Sequence, residues 1–224
     1  MGPDPAAGLF DTLLVRAGHP VDLDAHLRRL AASVQELYGV PVDVDALGAR
    51  LLADARGLTT ARVRTTYSPE PGSWEIEAVR IEEPGLDPRT LAVREVPGGL
   101  GRHKWVDRSP VAEPGEADDV LVVDDGTVLE CGSANVFAVV AGVVVTPSLD
   151  GRILPGTVRA RVLALLASER ASAVERPLRV AELAEADEVF TTSSIRGIQP
   201  VVGCPDVATW PIGPITERLR AAEV

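Results

Sequence analysis

Val128-Leu-Glu-Cys-Gly-Ser-Ala-Asn-Val-Phe137 is a run of strand-forming apolar residues with one acid, Glu130, set inside it. An ionised carboxylate among apolar neighbours is costly to bury unless something pairs with it. Glu130 therefore either faces a cationic partner or sits on an edge strand and points to solvent. The flanks supply the surrounding order. Val120–Val123 upstream reads as a strand, closed by a tight turn at Asp125-Gly126. Val128–Val140 reads as one strand region with polar interruptions. Ala141-Gly142 then turns the chain into a further strand, Val143–Thr146.

Further downstream, Leu154-Pro-Gly-Thr-Val-Arg159 opens a helix that runs to about Ser168. Free N–H groups and the dipole at such a start, here Gly156 and Thr157, suit an anion. Proline in the first turn is equally ordinary helix grammar. A strand Ala173–Leu178, a short helix near Glu182 and a strand Glu188–Thr192 follow. Thr191-Thr-Ser-Ser194 ends that strand with hydroxyls, either a phosphate cradle at Thr192 and Ser193 or a polar turn. A loop punctuated by Gly and Pro then leads to a C-terminal helix, Pro214–Ala222.

Upstream, Pro97-Gly-Gly-Leu-Gly-Arg-His103 is glycine-rich and lies between two dense blocks of expected structure. It divides the chain into a small N-terminal α/β domain, 1–100, and a larger β-rich domain, 101–224. The N-terminal block begins with a strand, Gly8–Arg16, and an Ala-Gly-His-Pro turn. A helix spans Asp22–Tyr38, with Leu27, Leu30, Val34 and Leu37 at helical spacing and Asp22 or Asp24 as N-cap. A second helix, Asp43–Arg56, has Asp43 as its N-cap. Strands Ala61–Tyr67, Trp74–Ile81 and Thr90–Val96 follow. The mixture of strands and helices places the chain in the α/β (α+β) class, as two units.

The 224 residues are 46% hydrophobic, enough to bury a substantial core. A net charge of −11 disfavours nucleic acid and anionic lipid as partners, since both are polyanions. No apolar run reaches the roughly 18 residues that span a bilayer. Met-Gly-Pro-Asp-Pro at the start has neither the basic nor the apolar part of a signal peptide. A cytoplasmic location is the default reading. Two cysteines, Cys131 and Cys204, make no disulfide framework, and the scattered histidines make no metal cluster. GxGxxG, P-loop and nucleophilic-serine motifs do not occur.

Of the 22 basic residues, one is lysine: Lys104. Guanidinium is not deprotonated in proteins whereas ammonium is, so a lysine kept among arginines is a candidate for amine chemistry. The other reading is chance survival on a basic surface loop, because Arg102, His103 and Arg108 stand beside it. On the first helix, Arg29 of His26-Leu-Arg-Arg-Leu30 either reaches an anion as a forked donor or belongs to a solvated face.

Taken in order, these motifs resemble the class IV aminotransferases, the fold-type IV pyridoxal 5'-phosphate (PLP) enzymes. The resemblance runs through Gly8-x-Phe-Asp-Thr12, His26-x-x-Arg-Leu30, Lys104, Asp125-Gly-x-x-x-Glu130, Ser133-Ala-Asn-Val-Phe137, Thr146-Pro147, Leu154-Pro-Gly-x-x-Arg159, Ala186-Asp-Glu-Val-Phe190 and Gln199-Pro-Val201. It implies a two-domain, D-amino-acid-aminotransferase-like fold with a trimmed N-terminal domain, PLP held between the domains, and a homodimer. It implies Lys104 as Schiff-base lysine and proton shuttle and Glu130 as partner of the pyridine nitrogen. Phosphate binding then falls to Arg29, Gly156, Thr157, Thr192 and Ser193. Lys104-Trp-Val-Asp-Arg108 looks most like the aminodeoxychorismate lyases, which release pyruvate to give 4-aminobenzoate for folate synthesis. An amino-acid aminotransferase is the alternative, and a non-catalytic homologue the third. The substrate is then a small anionic amine, with Arg102, His103 or Arg108 meeting its carboxylates. The chain departs from the family pattern with Asp11 where Glu is usual and Asp107 where Asn is usual.

Overall fold

Alternating apolar residues build the first sheet of the computed structural model, which describes residues 2–85 and 87–222. β1 (Leu9–Arg16) turns through a two-residue β2 (His19–Pro20) into α1 (Leu23–Tyr38), α2 (Val44–Asp54), β3 (Ala61–Ser68) and β4 (Ser73–Arg80). The sheet is antiparallel in the order β2-β1-β3-β4. β3 buries every second residue, and Val63 joins Leu13, Val15, Leu27, Leu47 and Leu51 beneath the two helices. Asp43 caps α2 as expected, accepting from Ala46 N–H at 2.9 Å. Asp22 occupies the N-cap position of α1 but in the left-handed region, φ 53°, and its side chain does not cap the helix; its carbonyl accepts from His26 N–H at 3.1 Å.

His103–Arg108 returns to this first unit, which otherwise comprises Pro3–Gly85. Phe10 N–H donates to Lys104 C=O (2.9 Å), Val106 N–H donates to Gly8 C=O (3.0 Å), and Trp105 bridges to Leu9. The lysine segment is thus stitched to β1. Gly8 is obligatory there: its φ is +91°, and a Cβ would sit 2.2 Å from Tyr67 O.

Of the described residues, the second unit comprises 2, 87–102 and 109–222. Its elements are β5 (Arg89–Glu95), β6 (Asp119–Asp124), β7 (Thr127–Cys131), β8 (Asn135–Val140), β9 (Val143–Thr146), α3 (Thr157–Ser168), β10 (Ala173–Glu175), β11 (Leu178–Arg179), α4 (Val180–Ala184), β12 (Glu188–Ser193), β13 (Gly197–Cys204), β14 (Ala208–Thr209) and α5 (Pro214–Ala221). The sheet order is β10-β9-β8-β12-β13-β5-β6-β7-β11, with β14 on β13. Both faces are apolar. Val136 and Ala138 pack into one layer, while Phe137 and Val139 pack with Val162, Leu166 and Leu219 into the other. Phe137 stacks on its register partner Phe190, with centroids 4.9 Å apart.

Several sequence readings change here. The unit division does not fall at 100–101, because β5 pairs in parallel with both β13 and β6 and so belongs to the second unit. Val128–Val140 is two strands in different parts of the sheet. Cys131 N–H donates to Ala134 C=O, and Asp119 takes Ser133 N–H and Oγ–H, which turns the chain out of β7. Ala173–Leu178 is likewise divided, with Pro177 between a parallel partner of β9 and an antiparallel partner of β7. The expected loop after Thr192 contains the eight-residue β13. Its Pro200 is tolerated because pairing with β5 starts only at Val201. Among the described residues, no helix is long and apolar enough to cross a membrane.

Candidate active site

In the second unit, four of the expected site residues converge around one backbone segment. Glu130 on β7 is buried, 4% exposed, and its Oε2 accepts from Leu154 N–H at 3.1 Å. The carbonyl of Leu154 accepts from Asn135 Nδ2 at 2.9 Å. Two residues on, Gly156 caps α3 with extended backbone, and Thr157 begins the helix. A Cβ on Gly156 would lie 2.0 Å from Asn135 Oδ1, so no other residue fits this approach. Thr192 stands directly across from Asn135 in the β8–β12 register, which puts the two side chains on one face of the sheet. Thr192 is 2% exposed, and its Oγ1 has no hydrogen-bond partner. Ser193, next along, has Oγ accepting from Arg196 N–H at 3.3 Å. Arg159, the last residue of the Leu-Pro-Gly motif, is an internal strut: its Nη2 donates to Pro147 C=O and to Glu175.

In the first unit, Arg29 is not a solvated helix residue. Its Nε and Nη2 donate to both oxygens of buried Asp11 at 2.8–3.0 Å, and His26 Nδ1 meets Asp11 Oδ1 at 2.7 Å. Burial alone would raise the Asp11 pKa. Arg29 and His26 outweigh it and bring the carboxyl down to about 2, with a smaller push from Lys104. Asp11 is thus where Arg29 and the lysine segment meet. Lys104 Nζ lies 4.9 Å from the centroid of the Phe10 ring, and the guanidinium of Arg64 lies 3.8 Å from the same ring. Burial, then Arg62 and Arg108, lower the Arg64 pKa, with Glu77 and Glu75 opposing.

The three expected substrate-binding residues part company. His103 faces α1, with Nδ1 3.0 Å from Ser33 Oγ and Nε2 3.8 Å from Glu36, and its ring packs edge-on to Trp105. Arg102 is exposed and belongs to the second unit. Arg108 is half-buried and close enough to act on Arg64. Sequence reasoning missed Arg64, Phe10 and the anchoring by Asn135 and Asp11. Strand alternation separates Arg62 and Arg64 from Val63, but nothing local says which face of β3 carries function.

Residues 8–95 and 111–204 match the family model for amino-transferase class IV. The chain belongs to the class IV amino-transferase family. Its fold follows 4-amino-4-deoxychorismate lyase from Pseudomonas aeruginosa, at 28% identity and a TM-score of 0.78, over 97% of this chain and 90% of that one. It equally follows a fold IV-transaminase from Curtobacterium pusillum, at 26% identity and a TM-score of 0.83, over 96% and 85%. A branched-chain-amino-acid aminotransferase-like protein of Arabidopsis thaliana is 37% identical over 108 residues, which are 47% of this chain and 19% of that protein. The matched stretches span from about a fifth to just over a third of the length of the curated relatives.

Class IV amino-transferases are PLP-dependent enzymes, and both aminotransferases and lyases belong among them. The second unit fits such a group. A buried hydroxyl left unpartnered costs about 1–3 kcal/mol, and a phosphate oxygen would satisfy Thr192 Oγ1. Gly156, at the start of α3, adds a bare backbone and a helix dipole of the kind that suits an anion.

Proposed function

We propose that this chain is a PLP-dependent 4-amino-4-deoxychorismate lyase, releasing pyruvate to leave 4-aminobenzoate. The observation that carries the reading is the cationic group around Phe10, where Arg64 and Lys104 share one ring and Arg108 lies close. A substrate with two carboxylates needs such forked donors. A branched-chain amino acid presents one carboxylate, and its aliphatic side chain asks for no cation. The likeness to the Pseudomonas aeruginosa lyase supports the same reading.

In this scheme Lys104 is the residue that would hold the cofactor by its aldehyde, and its free amine would serve as the base. Glu130, oriented by Leu154 N–H, would pair with the pyridine nitrogen and favour its protonated form. Within the second unit Thr192, Ser193 and the Gly156–Thr157 helix start would hold the phosphate, and within the first unit Arg29, fixed by Asp11, is a forked donor for the same kind of group. PLP, when bound, supplies an electron sink for the pair left behind at deprotonation. Lys104 Nζ then takes the ring proton, the enolpyruvyl C–O bond breaks, and the ring becomes aromatic as pyruvate regains its proton. Arg64 and Arg108 orient the carboxylates. The same reading includes a homodimer in the cytoplasm.

Formation of 4-aminobenzoate from enzymatically generated aminodeoxychorismate, followed by fluorescence, tests it. The PLP-loaded wild type should form product, and Lys104→Ala should be slower by at least about 10²-fold. No product from protein with borohydride-reducible PLP would overturn the lyase. The second reading, an amino-acid aminotransferase, is favoured by the 37% identity to the Arabidopsis thaliana aminotransferase-like protein and by the likeness to the Curtobacterium pusillum transaminase. Accumulation of pyridoxamine phosphate with an amino acid, reversed by a 2-oxo acid, would establish it. Failure to take up PLP at all would instead favour the non-catalytic homologue.

A further inference from the structure

We propose that Asn135 is a positioning residue that sets the spacing between the two cofactor-holding ends of the second unit. The proposal rests on the reading that Glu130 serves the pyridine nitrogen while Thr192 and the start of α3 serve the phosphate. Two approaches of the one amide and one strand pairing of the same residue carry it. Asn135 Nδ2 holds the carbonyl of Leu154, whose own N–H is held by Glu130 Oε2, so one backbone residue is gripped from both sides. Asn135 Oδ1 occupies the space beside Gly156 where a side chain would otherwise stand, so the N-cap of α3 rests on the amide. Across the β8–β12 ladder, Asn135 is the register partner of Thr192, the residue with the unpartnered hydroxyl. Glu130, the helix start and Thr192 are therefore all referred to one side chain that is itself 4% exposed.

The chemistry needs an amide of this length. Aspartate is isosteric but would set a carboxylate against the Leu154 carbonyl, acceptor against acceptor. Serine leaves room but is too short to reach that carbonyl. Glutamine adds a methylene where Gly156 already leaves no space. Pro155 between Leu154 and Gly156 has a restricted φ, so a shift at Leu154 is passed on to the helix start.

A ligand held at both ends gains from the match between the ends, and a ligand held at one end does not. The test compares PLP with pyridoxal, the same ring without its phosphate, by spectroscopic titration of wild type, Asn135→Asp and Asn135→Ser. The wild type should prefer PLP strongly. In either folded variant that preference should fall at least tenfold, mainly through loss of PLP affinity. A general loss of packing would lower stability and weaken both ligands together. A folded variant that keeps the wild-type ratio within about threefold overturns the proposal. If the wild type itself shows no preference for PLP, the cofactor reading beneath the proposal fails first.

Discussion

Asp11 concentrates the electrostatics of the first unit in one residue. Its carboxylate is buried and bonded by Arg29, by His26 and by Thr12 N–H, the last at 2.6 Å. These contacts bring its pKa from 3.8 in an open chain to about 2. A carboxyl depressed by folding stabilises the protein above its unfolded pKa, and that stability is lost as pH falls through the folded value. On the order of 2 kcal/mol should therefore disappear between about pH 4 and pH 2. Urea unfolding at stepped pH measures it, and Asp11→Asn should flatten that slope. An unchanged slope in the variant would refute the assignment. At neutral pH the same variant should lose about 3 kcal/mol, because Arg29 keeps its burial without its carboxylate. The thiols of Cys131 and Cys204 report on the second unit in the same way. Burial raises both pKa values, Cys131 strongly, so neither should react with a thiol reagent until the protein unfolds. The sequence marks Asp11 as unusual, but its partners lie 15 and 18 residues away, beyond any helical or strand period.

Elements show the same division. Helices α1 and α2 and strand β3 were legible because one period holds over each whole segment, and in α2 the N-cap agrees with it. β13 was not, since glycine and proline punctuate it and its two long neighbours supply the missing stability. The C-terminal helix α5 was legible in extent but not in what moors it. Glu188, at the start of β12, accepts from Ile215 N–H, Thr216 N–H and Thr216 Oγ–H at 2.7–3.0 Å. The motif acid thus caps a helix N-terminus 27 residues on, where the dipole favours negative charge. Gly213 stands so close that a Cβ would lie 2.1 Å from the Glu188 side chain. Glu188→Ala should cost about 2 kcal/mol and lower hydrogen-exchange protection in α5 first. Uniform protection across the helix in the variant would show that packing of Leu219 holds it without the cap.

For the molecule as a whole, a cofactor that binds only the folded chain must raise its stability. PLP at 100 times its Kd should add about 2.7 kcal/mol, seen as a higher Tm, and Lys104→Ala should show much less of that gain. An equal gain in the variant would detach the lysine from cofactor binding. By itself the sequence determined the class of fold, the family and the residue types at the candidate site. It did so because motif order and local periodicity are written along the chain. Only the tertiary structure decided that β5 joins the second unit, that Lys104 is stitched to β1, and that Leu154 is gripped between Glu130 and Asn135. Those contacts join residues 24 and 19 positions apart, or strands as far apart in the chain as Arg89 and Val201. They exist because a buried N–H or C=O must find a partner wherever folding brings one near, and no local pattern in the sequence records which partner that will be.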